Sequence, residues 1–106
     1  MKLKEKEVEA GNLYLTSANQ YRAVLAMKGE FVIYAPSVES ISPVSITERL
    51  PFENQPFKKC RIDTFAKKDY QVFNFNGVEA IKHKLSESQL AEAIAQCNAK
   101  SVIATF

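Results

Sequence analysis

Residues 70–84 read YQVFNFNGVEAIKHK, and this stretch decides the fold. The Asn76-Gly77 pair at its centre is typical of a two-residue type I′ turn, because both central residues of that turn need a positive φ. Aromatic and β-branched residues occur on both sides of the pair. The stretch therefore predicts a β-hairpin with Tyr70–Phe75 as its first arm and Val78–Lys84 as its second.

The turn also predicts which residues of the two arms lie opposite each other. The expected pairs are Phe75 with Val78, Phe73 with Ala80, Val72 with Ile81, and Tyr70 with His83. Phe73 and Phe75 then share one face of the hairpin, and that face needs cover. We expect a helix to cover it and close the core, the alternative being an open protein-binding or dimer surface.

Three short strands are predicted on the N-terminal side of the hairpin. They cover residues 12–16, 20–27 and 31–35, and the turns between them are short enough for an antiparallel meander. In the second strand, alternation places Tyr21 and every second residue after it, as far as Met27, on one face.

The segment Pro36–Pro56 contains all four prolines of the chain. Proline removes a backbone donor and restricts the residue before it, so long helices or strands are not expected here. A structureless loop of this length is unusual in a small domain. The segment therefore either contains a short strand, for which Val44–Thr47 has the right pattern, or forms a functional surface loop.

A further strand is predicted over Phe57–Ile62. Asp63 after it can accept from the amides of one helical turn over Thr64–Lys68, and we expect it to cap that turn.

The clearest helix follows the hairpin, over Ser86–Lys100. Ser86 and Gln89 have the spacing of a capping box, in which each side chain accepts from the backbone of the other residue. Leu90, Ile94 and Cys97 fall on one face of this helix. The apolar run Val102–Phe106 at the end of the chain predicts a last strand.

Together these elements predict one α+β domain over residues 1–106. Residues 1–68 form an antiparallel β meander with the Pro-rich loop 36–56, arranged either as an SH3-like barrel or as a mainly antiparallel sheet. Residues 69–106 add the β-hairpin, one helix and a C-terminal strand. The sequence leaves open whether the two parts share one sheet.

Composition limits the class of protein. The 106 residues are 46% hydrophobic and 25% charged, as expected of a globular chain, and the net charge is +2. This charge is too small for a protein whose whole surface binds nucleic acid, and it also excludes an acidic mimic of DNA. Neither a secretory signal nor a membrane span is expected, so we predict a cytoplasmic protein with Cys60 and Cys97 reduced.

Four short motifs resemble those of small phage and prophage proteins. They are GNLY at 11–14, YRAVL at 21–25, VIY at 32–34 and CRIDTFA at 60–66, in that order, so the resemblance covers at most residues 8–68. It implies a mobile-element origin and an SH3-like N-terminal half. It carries no catalytic residues to transfer.

The densest group of cations lies on the predicted strand at 57–62 and just after it, with Phe57 and Phe65 interleaved. A second basic group lies on the later arm of the hairpin, where Tyr70 is expected opposite His83. If both groups meet, the candidate partner-binding residues are Lys58, Lys59, Arg61, Lys67, Lys68, Tyr70, Lys82, His83 and Lys84. Such cations with aromatic neighbours can contact phosphates and bases. The alternative is a solvated strand edge whose lysines block pairing with other chains.

No catalytic or cofactor motif is visible. The chain has three glycines and no glycine-rich phosphate loop, and no metal-ligand spacing surrounds the only histidine, His83. We expect His83 to be exposed on the hairpin beside Tyr70. Cys60 and His83 could act as nucleophile and base only if the fold brought them together. We therefore predict no catalytic residues, no metal, no cofactor and no enzymatic activity.

These observations predict a small non-enzymatic interaction module that binds a protein or nucleoprotein target, an inhibitor of a host factor being one form. The chain could also form a homodimer. The alternative function is direct nucleic-acid binding by the basic residues Lys58, Lys59, Arg61, Lys67, Lys68 and Lys82.

Overall fold

A computed structural model of the chain describes residues 1–38 and 49–106. The strand expected at Val44–Thr47 and the middle of the loop Pro36–Pro56 lie outside these residues. The described part contains two sheets and three short helices, so the fold is α+β.

The larger sheet has five strands among the described residues. Its members are β1 (Asn12–Leu15), β2 (Tyr21–Lys28), β3 (Phe31–Pro36), β4 (Lys58–Arg61) and β7 (Lys82–Lys84). Their order across the sheet is β4-β3-β2-β1-β7, and all neighbours are antiparallel. The predicted meander and the mainly antiparallel sheet are confirmed, whereas the SH3-like barrel is not. Because β7 pairs with β1, the N-terminal and C-terminal parts share one sheet.

The remaining elements surround this sheet. They are a 3-10 helix (Glu5–Glu7), the helices α1 (Ile62–Lys67), α2 (Glu87–Gln96) and α3 (Lys100–Thr105), and a second sheet of β5 (Phe73–Phe75) and β6 (Val78–Ala80).

The β5–β6 hairpin has the predicted turn. Asn76 and Gly77 have φ values of 53° and 82°, as a type I′ turn requires. Phe75 pairs with Val78 and Phe73 with Ala80, so the register next to the turn is confirmed.

The outer parts of the predicted arms do not pair with each other, and the expected pairing of Tyr70 with His83 is wrong. Tyr70 lies opposite Thr16, and His83 lies opposite Leu13. The Gln71 amide donates to the Leu15 carbonyl at 3.0 Å, while Lys82 pairs with Tyr14, the preceding residue of β1. Residues 70–71 and 82–84 therefore pair along the same side of β1, and residues 72–81 between them form a separate hairpin. The outer arms thus make their ladder hydrogen bonds with β1 and Thr16 and not with each other.

A large apolar core lies on one face of the five-stranded sheet. Leu13 of β1, Ala23 of β2 and Ile33 of β3 contribute to it and are fully buried. Phe73 and Phe75 are 5% exposed and pack in the same core, together with Ala93 and Cys97 from the end of α2. The Phe73/Phe75 face is therefore buried in the core and is not an open surface.

A second core on the opposite face is aromatic. The Phe65 ring from α1 lies between Tyr14, Tyr34 and Tyr70, with centroid distances of 5.2–5.7 Å. Arg22 enters this group: its guanidinium carbon lies 4.8 Å from the Tyr34 ring and 5.3 Å from the Phe65 ring. Its Nη1 donates to the Tyr70 hydroxyl at 3.2 Å. The guanidinium charge of Arg22 is therefore contacted by two aromatic rings and by the Tyr70 hydroxyl.

Strict alternation in β2 fails at Leu25. The register shifts between Val24 and Ala26, which marks a β-bulge. Beyond the bulge the faces are exchanged, so Met27 packs in the aromatic core and not beside Tyr21 as predicted.

The first turn of α1 differs from the prediction. The helix begins at Ile62, and Arg61 is its N-cap without a side-chain hydrogen bond. Asp63 lies inside the first turn, where its Oδ1 accepts from the Thr64 amide at 2.9 Å. Its carboxylate still stabilises the N-terminal end of the helix through the dipole.

The capping box of α2 is confirmed. Ser86 Oγ accepts from the Gln89 amide at 3.1 Å, and Gln89 Oε1 accepts from the Ser86 amide at 2.9 Å.

Replacement of Ser86 by alanine should lower the free energy of unfolding by about 1 kcal/mol, because the Gln89 amide loses its acceptor. Urea unfolding of the variant measures this loss. Ser101→Ala is the matched control, since Ser101 is an exposed helical serine whose side chain makes no hydrogen bond among the described residues. Equal losses in the two variants would contradict the assigned role of the cap.

The last element is a helix, and the predicted strand Val102–Phe106 is wrong. Asn98 adopts a φ of 57° and ends α2. Its amide donates to Ala95, and the Ala99 amide donates to Ile94, which together form a Schellman motif. The chain thus reverses and enters α3, from which Val102, Ile103 and Phe106 pack on the large core. A five-residue apolar run does not by itself distinguish a strand from a helix.

Candidate functional site at the edge of the sheet

Strand β4 lies at one edge of the five-stranded sheet and pairs only with β3 among the described residues. Lys58, Lys59 and Arg61 are exposed, and Cys60 between them is partly buried. This edge is the candidate functional site, because it presents both charged side chains and backbone groups to the outside.

The hydrogen-bond pattern shows which backbone groups point outward. The Ile62 amide donates to the Glu30 carbonyl at 2.8 Å, so Arg61 and Phe31 form a pair without direct backbone bonds. By the alternation of an antiparallel ladder, the backbone of Cys60 points toward β3, and the amides of Lys59 and Arg61 point away from it. The carbonyl of Lys59 points outward as well. We call these outward groups the β4 edge.

Two aromatic rings lie beside the cations of the β4 edge. The Lys59 Nζ is 5.0 Å from the Phe31 ring centroid and 5.4 Å from that of Phe106, and the Arg61 guanidinium carbon is 5.9 Å from Phe31. Phe31 is 39% exposed. Phe31, Lys59, Arg61 and Phe106 form what we call the cation–aromatic cluster, which lies on the sheet face that carries the large core.

The cations near the β4 edge are not equally available to a partner. Arg61 contacts the carboxylates of Glu30 and Asp63, at 3.1 and 3.4 Å. Within residues 1–38 and 49–106, the remaining four cations form no ion pair, and all are exposed: Lys58, Lys59, Lys67 and Lys68. Of these, Lys67 and Lys68 belong to the end of α1, which begins directly after β4.

The structure does not bring the second basic group to this site. Lys82, His83 and Lys84 form β7, at the opposite edge of the sheet from β4. Four strand spacings separate the two edges, which is about 19 Å. Lys82 is also occupied, since its Nζ lies 2.6 Å from Glu9 Oε1. This contact lowers the pKa of the Glu9 carboxyl. The expected single basic patch is therefore wrong.

Two of the predicted contact residues are parts of the cores. Tyr70 is 1% exposed, and its hydroxyl donates to the Phe65 carbonyl at 2.7 Å. His83, which we expected on the surface, is 9% exposed and lies between Phe73 and Phe75, with Nε2 3.2 Å from the Phe73 carbonyl oxygen. Both side chains connect elements of the fold through these contacts.

Cys60 and His83 are not a nucleophile and base. They lie on opposite edge strands, separated by the same distance of about 19 Å. Burial raises the pKa of the Cys60 thiol, which disfavours the reactive thiolate. Both cysteines of the chain are free thiols.

Within the part of the chain that the structure describes, no three His, Cys, Asp or Glu residues are grouped so that they could hold a metal ion. The described helices are also too short and too polar to cross a membrane.

Comparison with known proteins gives no relative. No protein family, curated protein or solved structure matches this chain. The resemblance to phage and prophage proteins stays a prediction.

Sequence reasoning found the lysines of the β4 edge and missed their aromatic neighbours. Phe31 meets Arg61 through the register of β3 with β4, and Phe106 reaches Lys59 from the end of α3. The loop between β3 and β4 is too long for a turn to predict their register. The exposed Phe31 at the start of a strand is the one signal that could have indicated the cluster.

Proposed function

We propose that this chain is a non-enzymatic interaction module that binds a protein partner by accepting one of its strands along the β4 edge. The outward backbone groups of Lys59 and Arg61 carry the proposal. Strand addition at a sheet edge gains its affinity from main-chain hydrogen bonds, and side chains beside the edge supply specificity. Inhibition of a host factor is one form that such binding could take.

Direct nucleic-acid binding is supported less well. Of its six proposed residues, Arg61 and Lys82 contact carboxylates, and Lys82 lies at the other edge of the sheet. The cation–aromatic cluster is the feature in its favour, since bases stack on aromatic rings. The same experiment distinguishes the two functions.

Lys59→Pro tests strand addition directly. Proline removes the outward amide of Lys59 and leaves the ladder between β3 and β4 intact, because that amide does not belong to the ladder. Lys59→Ala is the matched control, which removes the same charge and keeps the amide. We expect the wild-type chain to capture a protein from a lysate of the source organism, Lys59→Ala to capture the same protein more weakly, and Lys59→Pro to lose it.

Urea unfolding first shows that the variants are folded. Capture of the same protein by Lys59→Pro would overturn strand addition at this edge, and so would failure of the wild-type chain to capture any protein. A captured complex that nuclease dissolves and that weakens steeply with salt would support nucleic-acid binding instead.

A further inference from the structure

We infer that the strand accepted by β4 is an acidic segment of the partner, with carboxylates at two positions separated by one residue. This inference rests on the proposed function and names the chemistry of its partner.

A strand added to β4 would meet a cation at nearly every position. Residues opposite Lys59 and Arg61 would lie on the side of the cation–aromatic cluster, because side chains alternate and directly opposed residues share a face. The residue opposite Lys58 would lie on the other side, next to that exposed ammonium group. Opposed side chains are about 4.5–5.5 Å apart at their Cβ atoms, close enough for carboxylates to interact with these cations.

The same geometry argues against a second copy of this chain as the occupant. Two antiparallel β4 strands would place Lys58, Lys59 and Arg61 against the same cations of the other copy, and like charges directly opposite are destabilising. Strand β7, at the other edge, reads Lys-His-Lys and would repel β4 in the same way. Both edges therefore oppose self-association and leave an acidic foreign segment as the complementary occupant.

The two cations that face these carboxylates are not equally free. Arg61 already contacts Glu30 and Asp63, whereas Lys59 makes no ion pair among the described residues. Phe31 and Phe106 hold the Lys59 ammonium group beside the edge. We therefore expect the carboxylate opposite Lys59 to contribute most.

The test is a selection from displayed random peptides of about ten residues, the length of a long strand. The immobilised wild-type chain serves as bait, and peptides that also bind Lys59→Pro are removed. We expect Asp and Glu to be enriched at two positions separated by one residue. One selected peptide is then synthesised together with a copy that has lysine at those positions.

Reversal of the charges completes the test. The double variant Lys59→Glu/Arg61→Glu, whose two positions face the two carboxylates, should bind the acidic peptide at least about tenfold more weakly and prefer the lysine copy, as expected when two surface pairs change from attraction to repulsion. A Glu87→Lys variant is the control, because Glu87 is an exposed residue at the start of α2, far along the chain from β4.

The outcomes separate the inference from the proposed function. Peptides that lack acidic residues but are lost with Lys59→Pro would overturn the inference and keep strand addition. The library could also give no peptide while the lysate still yields a protein that depends on the Lys59 amide. That result would overturn the inference of an acidic segment and would keep strand addition. Single-stranded DNA could displace the peptides and also bind to Lys59→Pro. That result would overturn both the acidic segment and strand addition.

Discussion

Replacement of Phe65 by alanine should lower the free energy of unfolding by about 3–5 kcal/mol, the largest effect expected of any single truncation in the aromatic core. The Phe65 side chain is fully buried and touches the rings of Tyr14, Tyr34 and Tyr70. Its loss would leave a cavity beside the Arg22 guanidinium, which lies 5.3 Å from the ring centroid. Urea unfolding measures the change.

Phe31→Ala is the control for this prediction. Phe31 is 39% exposed, so its truncation removes the same atoms with little cavity, and we expect a loss of about 1 kcal/mol or less. If Phe65→Ala were no more destabilising than Phe31→Ala, the aromatic core would not be the close-packed unit that the structure shows.

Raising the pH from 10 to 12 should destabilise the fold by several kcal/mol in total. Burial raises the pKa of every tyrosine in the chain, and that of Tyr70 reaches about 12. Below pH 10 the phenols are protonated in both states. Between pH 10 and 12 the unfolded chain releases protons that the folded chain keeps, so stability falls as the pH rises. Tyr70 alone contributes about 2 kcal/mol over this interval, since a shift of two pKa units corresponds to about 2.7 kcal/mol and part of that change falls below pH 10 and above pH 12.

Urea unfolding at successive pH values, with tyrosinate absorbance as a second readout, checks this prediction. The control is Tyr70→Phe, which should cost about 1 kcal/mol at neutral pH because the hydrogen bond to the Phe65 carbonyl is lost. The variant should then lose less stability between pH 10 and 12 than the wild-type chain does. An equal loss in both proteins would mean that Tyr70 ionises as readily in the folded state as in the unfolded one.

Local signals in the sequence predicted the parts of the fold that depend on neighbouring residues. The Asn76-Gly77 turn and the capping box of Ser86 and Gln89 are present, because a few adjacent backbone groups determine each of them. Their influence ends within two or three residues. Tyr70 and His83 lie six residues from the turn, and there the edge of β1 determined the pairing.

The remaining differences have tertiary causes. Residues 102–105 belong to a helix because Asn98 reverses the chain and places Val102, Ile103 and Phe106 against the large core. The apolar character of the run was predicted correctly, but the partner that buries it depends on the whole fold. The bulge at Leu25 likewise cannot be predicted from the alternation of apolar residues in β2, because it depends on how β2 pairs with β3.

For the candidate site, sequence alone predicted the cations and not their grouping. Lys58, Lys59 and Arg61 are adjacent in the chain and stay together. Lys82 and Lys84 appeared to join them only because the hairpin was expected to be a separate ladder. Once β7 pairs with β1, three strands separate these residues from β4.

The ladder that residues 69–71 and 82–84 share along β1 also constrains the order of folding. β1, β2 and β3 are contiguous and can associate while the rest of the chain is still being synthesised, because their contacts are local. The outer side of β1 has all its partners only after Lys84 has been made. A nascent chain therefore carries an unsatisfied edge on β1 until β7 has been made, and this side of the sheet is completed after the meander of β1, β2 and β3.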